Sequence, residues 1–387
     1  MDTMEQMLSM LLSGAVETLD IPPHLQALAI ASYEEVGNWL AEHGEHRCRV
    51  YPQGSFRLGT VVRPHSLTGD FDIDLVFLML LAKEATTQAR LKQDVGDLLH
   101  SYLDWKERNG HPGGLKTCES RRRCWTLDDP VNGFHLDVLP AIPDLEYLPT
   151  GILLTDKELF HWQHSDPIGY ANWFRRRSQE LQNKVITAAA QRGVDVEDVP
   201  IWEFRTTLQR VVQVLKWHCM LYFADDPDNR PPSILITTLA AKAYRGETDL
   251  FTATRNALAG MNRYIEDRNG VNWVANPAHE EENFVDKWKE YPERRKAYYA
   301  WQRDLADTLD DALSLRGKGL QTVASQLAQS FGAEPIRQST LKYGQRMRGH
   351  TTNRSLRLGT TGLLAPSATG IAVPPHNFYG QHPDPSH

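Results

Sequence analysis

Apolar and polar positions change period several times along the first 165 residues. "MEQMLSMLLSGAVETL" spaces its apolar residues three and four apart, the pattern of a helix with one buried face. "DIPPHLQALAIASYEEVGNWLAEHG" repeats it, with prolines in the opening turn, Asp20 placed to cap the start and Gly44 placed to end it. "RCRVYP" reads as a short strand running into a glycine–serine turn. "DIDLVFLML" is apolar without a break after Asp74, too uniform for a half-exposed strand, which predicts a central strand buried on both faces. A helix is expected at about 84–108. "RCWTLDD" and "GFHLDVLPAI" then read as two strands of a hairpin joined near Pro130–Gly133.

Beyond residue 165 the period lengthens. "PIGYANWFRRRSQELQNKVITAAAQRG", "FRTTLQRVVQVLKWHCMLYFA", "PSILITTLAAKAYRG" and "NFVDKWKEYPERRKAYYAWQRDLADTLDDALSL" all carry helical spacing. Strands in the first half and helices in the second predict an α+β chain, a strand-bearing catalytic lobe beside a helical one. From about residue 337 the chain turns to Gly, Pro, Ser and Thr with little periodicity, the texture of a tail that is disordered or ordered only by a partner.

Composition narrows the class. The chain has 387 residues, 41% hydrophobic and 24% charged, long enough for two domains and ordinary for a soluble globular protein. No apolar run reaches membrane-span length, and the acidic start "MDTMEQMLSMLLSG" lacks a basic signal-peptide head, so no membrane association is expected. Cys48, Cys118, Cys124 and Cys219 show no disulfide-framework spacing, which places the protein in a reducing cytoplasm. A net charge of −7 argues against constitutive nucleic-acid binding.

The chemistry concentrates in "QGSFRLGTVVRPHSLTGDFDIDLVFLML", residues 53–80. In a strand Asp70, Asp72 and Asp74 share one face, opposite Phe71, Ile73 and Leu75. Neighbouring carboxylates there repel one another without a cation and can hold Mg²⁺ with one. "GFHLDVLPA" supplies Asp137 inside another apolar strand; if the two strands are neighbours, the acids meet in the layout of two-metal phosphoryl transfer. Gly54 allows close backbone approach, and Ser55 with the amides of a starting helix can cradle phosphate. The bland reading of Asp72 and Asp74 as solvated strand-entry residues leaves Asp137 unexplained.

Other features carry less. His43, His46, Cys48, Cys118 and Cys124 lack zinc spacing. His161 and His164, near Asp156 and Glu158, read as an exposed loop or helix face. The triplets Arg121–Arg123 and Arg175–Arg177 read as solvated faces, unless one lies near a cleft and steers nucleotides. Tyr170, Trp162 and Trp173 read as packing, with base stacking open.

"GSFRLGTVVRP", "DFDIDLVFLM" and "GFHLDVLPAIP" resemble the DNA polymerase β-like nucleotidyltransferase superfamily. "DPIGYANWF", "LQRVVQVLKWH", "PPSILITTLAAKAY" and "NPAHEEENFVDKW" extend the resemblance over most of residues 20–336 and narrow it to the bacterial relatives of cyclic GMP–AMP synthase and oligoadenylate synthase. These are the SMODS-type CD-NTases, signalling enzymes of the CBASS anti-phage systems. The resemblance implies N-terminal helices and a nucleotidyltransferase lobe with a mixed sheet over 1–165. A helical nucleotide-binding lobe over 166–336 and a flexible tail over 337–387 would follow.

It further implies two Mg²⁺ ions, with Mn²⁺ as substitute, on Asp72, Asp74 and Asp137, the last also activating a ribose hydroxyl. Gly54 and Ser55 would hold a donor triphosphate with Gln53 beside the ribose or acceptor, and Lys216 and Ser233 would reach the triphosphate. Asp70 falls outside the family's Asp-hydrophobic-Asp pair, and Ile234 stands where the animal enzyme stacks an aromatic on the base. The implied activity joins nucleoside triphosphates, ATP among them, into a cyclic oligonucleotide with release of pyrophosphate. The alternatives are a linear oligoadenylate-type synthase, a transferase acting on RNA or protein, or a catalytically idle nucleotide-binding scaffold. "HNFYG" at 376–380 resembles tails on which a CBASS conjugating or regulatory partner acts, although seven residues follow it here.

Overall fold

The uninterrupted apolar run is the centre of a mixed sheet. A computed structural model describes residues 3–63, 71–110, 114–155, 162–190, 205–352, 356–358, 364–366 and 371–372. The chain divides into two compact units, Leu19–Asp307 and the two ends, Met1–Thr18 with Thr308–His387.

In the large unit, α2 (Pro23–His43) leads to β1 (Cys48–Gln53), the short α3 (Gly54–Leu58) and β2 (Phe71–Met79); α1 (Thr3–Val16) belongs to the other unit. After α4 (Gln88–Arg108) come β3 (Thr117–Ser120), β4 (Trp125–Asp129), β5 (Phe134–Pro143), β6 (Ile152–Leu154) and β7 (Gln163–Ser165). The sheet order is β1-β2-β5-β4-β3, with β6 paired to β5 and β7 to β6. Only β2–β5 is parallel, so this neighbouring pair needs the long crossover through α4. One face of β2 buries Ile73, Leu75 and Phe77 with Val36, Leu40, Leu91, Val95 and Leu99. The other buries Val76 and Leu78 with Leu139, Ala141, Ile152 and Leu154. Both faces are covered, which is why β2 does not alternate.

The rest of the unit is α5 (Pro167–Ala190), α6 (Thr207–Tyr222), α7 (Ser233–Ala243), α8 (Leu250–Gly260) and the start of α9 (Pro292–Ser314). Two hairpins intervene, β8 (Glu266–Arg268) with β9 (Val271–Trp273), and β10 (Ala275–Asn276) with β11 (His279–Asn283). Thr206 and Gln209 form a reciprocal capping box that starts α6. Trp217, Phe251, Tyr298 and Trp301 fill its core, and the Trp301 indole donates to His218 Nδ1 at 3.1 Å. Burial pushes the His218 imidazole down to about 4, keeping it the neutral acceptor this bond needs.

Three expectations are corrected. Asp20 does not cap α2, whose N-cap is Pro22 without a side-chain bond; its carboxylate is taken by two arginines of the helical half. The helix expected from residue 283 begins only at Pro292, because "NFVDKWKEY" closes the β10–β11 hairpin and makes a single 3-10 turn at Asp286–Trp288. The tail expected from residue 337 starts as helix, since α11 (Ala333–Thr352) follows α10 (Leu320–Phe331).

Within the terminal unit α11 packs on α1: Ser339, buried, donates to the Leu11 carbonyl at 2.7 Å, and a Cβ on Gly14 would press on its hydroxyl. The short strands β12 (Leu356–Leu358), β13 (Leu364–Pro366) and β14 (Ile371–Ala372) pair after it. "HNFYG" lies outside the described residues.

Candidate active site

The strand register assembles the acids. Parallel pairing sets Asp74 opposite Asp137 and Asp72 opposite His135, while antiparallel β1 sets Gln53 opposite Asp74. On the far side of β5, β4 sets Thr126 opposite Asp137, and its hydroxyl donates to Asp137 Oδ1 at 2.5 Å. Asp72 and Asp74 project from a strand whose other residues are buried, with Asp72 exposed and Asp74 only partly so. Asp70 lies outside the described residues.

These carboxylates are uncomfortable without a cation. Burial, then the charges of Asp137 and Asp72, push Asp74 up to about 7 against the partial relief of Lys216. Asp72 is raised too, by loss of hydration and by Asp137, although its side chain still meets solvent; His135, Lys216 and Arg230 offset part of this. Burial also takes the Lys216 ammonium down to about 8 despite the attraction of Asp74 and Asp72. Desolvation therefore outweighs attraction for both signs of charge. The donor set, hard oxygen ligands on adjacent strands, suits a divalent hard cation.

The turn between β1 and β2 is held from outside. Gly54 has φ +62° and a Cβ there would overlap the Asp74 carboxylate, so the position excludes any side chain. Ser55 follows in the first turn of α3, and its carbonyl accepts from the Thr60 amide at 2.9 Å. One face of α6 then grips the 58–61 backbone: Gln209 donates to the Leu58 carbonyl at 2.9 Å, Lys216 to Thr60 at 3.0 Å and Gln213 to Val61 at 2.7 Å. Positions 209, 213 and 216 are one stripe of a helix. Arg205 also bonds the Gly59 carbonyl, and Arg205, Arg210 and Gln213 all donate to Asp20 at 2.8–3.0 Å. Burial pushes Asp20 up, but the Arg210 bond and both arginine charges outweigh it and hold the carboxyl below its ordinary value.

A cleft of about 960 Å³ opens from this point, lined by Gln53, Gly54 and Asp74 at one end. Arg57, Arg121, Arg122, Arg123, Lys287 and Arg294 line it with positive charge, and Trp162 and Trp273 with aromatic surface. The triplet 121–123 is thus a cleft wall, anchored by buried Lys92, which donates to the carbonyls of Arg121 and Arg122. Arg177 instead braces the fold, donating to the Ala241 and Tyr244 carbonyls at 3.2 and 2.9 Å. Ser233 opens α7 on the surface, and its neighbours Pro232 and Ile234 line the cleft. Tyr170 is core, its hydroxyl bonded to Thr238 at 2.8 Å. His164 is not in an exposed loop; it sits in β7, half-buried, its Nδ1 bonded to Asp144.

Sequence reasoning found the acids and the turn but missed the α6 grip. The signal was there: Gln209, Gln213 and Lys216 recur at helical spacing in a helix that contains no acid. It also missed the clustering of Asp144, His164 and His279, which no spacing reveals.

The likeness to known proteins covers the same parts. Residues 48–140 match the family model described as cyclic GMP-AMP synthase DncV-like, nucleotidyltransferase domain. The chain is 28% identical over 363 residues to a c-di-GMP synthase of Roseivirga ehrenbergii, covering 90% of this chain and 91% of that protein. It is 25% identical over 385 residues to the cyclic dinucleotide synthase CdnG of Bradyrhizobium diazoefficiens, covering 91% and 87%. Among solved structures, that CD-NTase CdnG in complex with GTP superposes with a TM-score of 0.67 at 23% identity, covering 87% of this chain and 98% of that one. Vibrio cholerae DncV with a linear pppA(3′,5′)pG intermediate gives 0.53 at 16%, covering 76% and 71%, a likeness of fold. A mixed sheet with three acids on its neighbouring central strands, in a chain similar over 90% of its length to a c-di-GMP synthase, has the fold of the CD-NTases, and residues 48–140 match their DncV-like nucleotidyltransferase domain.

Proposed function

We propose that this chain joins two nucleoside triphosphates into a cyclic dinucleotide, with GTP as the preferred substrate. The observation that carries the chemistry is Asp74 directly opposite Asp137, at the foot of a cleft walled by arginines. The names of the relatives carry the nucleotide, one a c-di-GMP synthase and another solved with GTP.

In each round a ribose hydroxyl attacks the α-phosphorus of a second nucleotide. The new P–O bond replaces the bond to the β-phosphate, and pyrophosphate leaves. Asp137, whose Oδ1 accepts from the Thr126 hydroxyl, would orient the attacking hydroxyl and take its proton, a role its hydrogen bond supports. Asp72, Asp74 and Asp137 would hold Mg²⁺, two ions in the layout of such sites, with Mn²⁺ as substitute. Bound there, such an ion would supply charge neutralisation for the phosphoryl transfer. The open backbone of Gly54, with Ser55, cradles the triphosphate, and Gln53 lies beside the ribose. Lys216 supplies charge from α6, and Ser233 adds a contact from the start of α7. The cleft arginines draw in the polyanion and screen its charge.

Four free cysteines, and the absence among the described residues of a helix long and apolar enough to cross a membrane, fit a cytoplasmic enzyme. A role in CBASS anti-phage signalling, with a partner engaging the tail, follows from the same resemblance.

The test is incubation of purified protein with labelled GTP, ATP and their mixture in Mg²⁺ or Mn²⁺, followed by phosphatase. A cyclic product has no terminal phosphate and survives. Products that phosphatase strips completely would establish a linear synthase instead. No product under any mixture, with bound nucleotide retained, would favour the idle scaffold.

A further inference from the structure

Another group of ligating side chains lies along the cleft, and the nucleotide chemistry makes no use of it. Asp144 follows β5 and is buried, His164 sits in the middle of β7, and His279 opens β11 at 2% exposure. One ligand atom from each lies within 4.8 Å of the other two. Tetrahedral zinc with bonds of about 2.0–2.1 Å needs ligand atoms about 3.3 Å apart, so small side-chain adjustments close the remaining distance.

Two of the three are already pre-set. The Glu146 amide donates to Asp144 Oδ1 at 3.1 Å, and Asp144 Oδ2 bonds His164 Nδ1. His279 is the informative member. Both of its ring nitrogens are buried and neither has a hydrogen-bond partner among the described residues. Buried polar atoms are almost always paired, and a buried imidazole with neither nitrogen satisfied is short of a ligand. The Tyr147 ring packs on it with centroids 3.8 Å apart, fixing its plane.

We propose that Asp144, His164 and His279 bind one divalent transition-metal ion, zinc by preference. Two imidazole nitrogens and one carboxylate favour zinc over the oxygen-seeking Mg²⁺ of the acid site. Three protein ligands leave a fourth position for water or a ligand group, and His164 lines the cleft from which either would come. Coordination through His164 Nδ1 would take the neutral imidazole with its proton on Nε2, so the metal would replace the present Nδ1 bond to Asp144. Asp144 lies seven positions beyond Asp137, just past the end of β5, about 23 Å at the usual strand rise, so this is a separate centre. Asp144 and His164 come from the catalytic sheet and His279 from the β10–β11 hairpin. The ion therefore ties two cleft walls together, beside the Ser165–Glu282 bond at 3.4 Å that spans the same seam.

The test uses the full chain, expressed with zinc supplementation and purified without a histidine tag or chelator. Metal content is measured by mass spectrometry, zinc affinity by chelator competition, and site geometry by the visible spectrum of the Co²⁺-loaded protein. The expected result is one zinc per chain and an intense low-coordinate Co²⁺ band. His279→Gln should lose about 100-fold or more in zinc affinity, together with that band. Asp144→Asn gives a second reading should His279→Gln fold poorly, and should weaken zinc binding in the same way. Asp74→Asn, which disables the acid site, should leave zinc content and spectrum unchanged, so this centre and the proposed synthesis can fail independently. Substoichiometric zinc with no Co²⁺ band in the wild-type chain would overturn the proposal, as would wild-type affinity in folded His279→Gln and Asp144→Asn.

Discussion

Replacing Asp74 by Asn should stabilise the metal-free protein above neutral pH while ending synthesis. Burial and two neighbouring carboxylates push Asp74 up to about 7 in the folded chain, from 3.8 when free. The folded state thus holds this proton more tightly than the unfolded one. Its stabilising effect is complete below about pH 3.8, falls as pH rises and is gone above about 7. The gap of about three pH units, at ~1.4 kcal/mol each, sets a ceiling near 4 kcal/mol. Partial solvent access and relaxation bring the expected value to about 2 kcal/mol, a few degrees of Tm for a chain of this size.

The assay is thermal melting of both proteins in EDTA from pH 5 to pH 8, repeated with saturating Mg²⁺. The wild-type Tm should drop more steeply with rising pH, and Asp74→Asn, having no charge to bury, should overtake it above pH 7. Added Mg²⁺ should raise the wild type and leave the variant nearly unmoved. Parallel pH profiles in EDTA, or a variant that melts below the wild type at pH 8, would refute the claim that this carboxylate is held under electrostatic strain.

Further perturbations probe the turn, the grip and the ends. Lys216→Ala and Ser55→Ala should each cost roughly ten- to hundredfold in kcat/KM for nucleotide, the loss of a charge-assisted contact worth about 1.5–3 kcal/mol, read from initial rates. Gly54→Ala should abolish synthesis and lower Tm, because left-handed backbone alone costs about 1–2 kcal/mol and its methyl meets Asp74. Asp20→Ala should destabilise by about 2 kcal/mol in urea melts at pH 7, leaving Arg205 and Arg210 without their shared carboxylate; that difference should shrink as acid protonates Asp20 in the wild type. A chain ending at residue 332 should melt lower for want of α11 against α1, and one ending at 355 should keep the wild-type Tm.

What was legible in the sequence followed from local rules. The strand β2 declared itself because the unbroken apolar run Leu75–Met79 must be buried on both faces, and Asp72, Asp74 and Asp137 stood out as charges beside or inside such runs. A charge inside a buried strand is costly enough that its presence points to chemistry. Asp20 was misread because an acid before a proline-led helix satisfies the capping pattern equally well. Only the arrival of Arg205 and Arg210, 185 and 190 residues later, decides between the two. Ser339, ordinary in a polar segment, is likewise buried by a helix more than 300 residues away. Long-range pairing leaves no period in the chain.

The α6 stripe shows how the two halves of the large unit answer one another. The Gly-Ser turn must keep its backbone bare, since Gly54 tolerates no Cβ against Asp74. Bare backbone is soft, and a cradle that moves by an ångström wastes the geometry phosphoryl transfer needs. Gln209, Gln213 and Lys216 remove that freedom by occupying three successive stretches of carbonyl in the 58–61 loop, and Asp20 locks the arginines that flank them. Lys216 thereby serves two ends: its bond to Thr60 holds the loop, and its charge faces the acids. Its ammonium, brought down to about 8 by burial, is poised for a polyanion that would restore its lost solvation. The helix that holds the Gly-Ser turn is thus the same helix whose ammonium offsets the charge of Asp74 and Asp72.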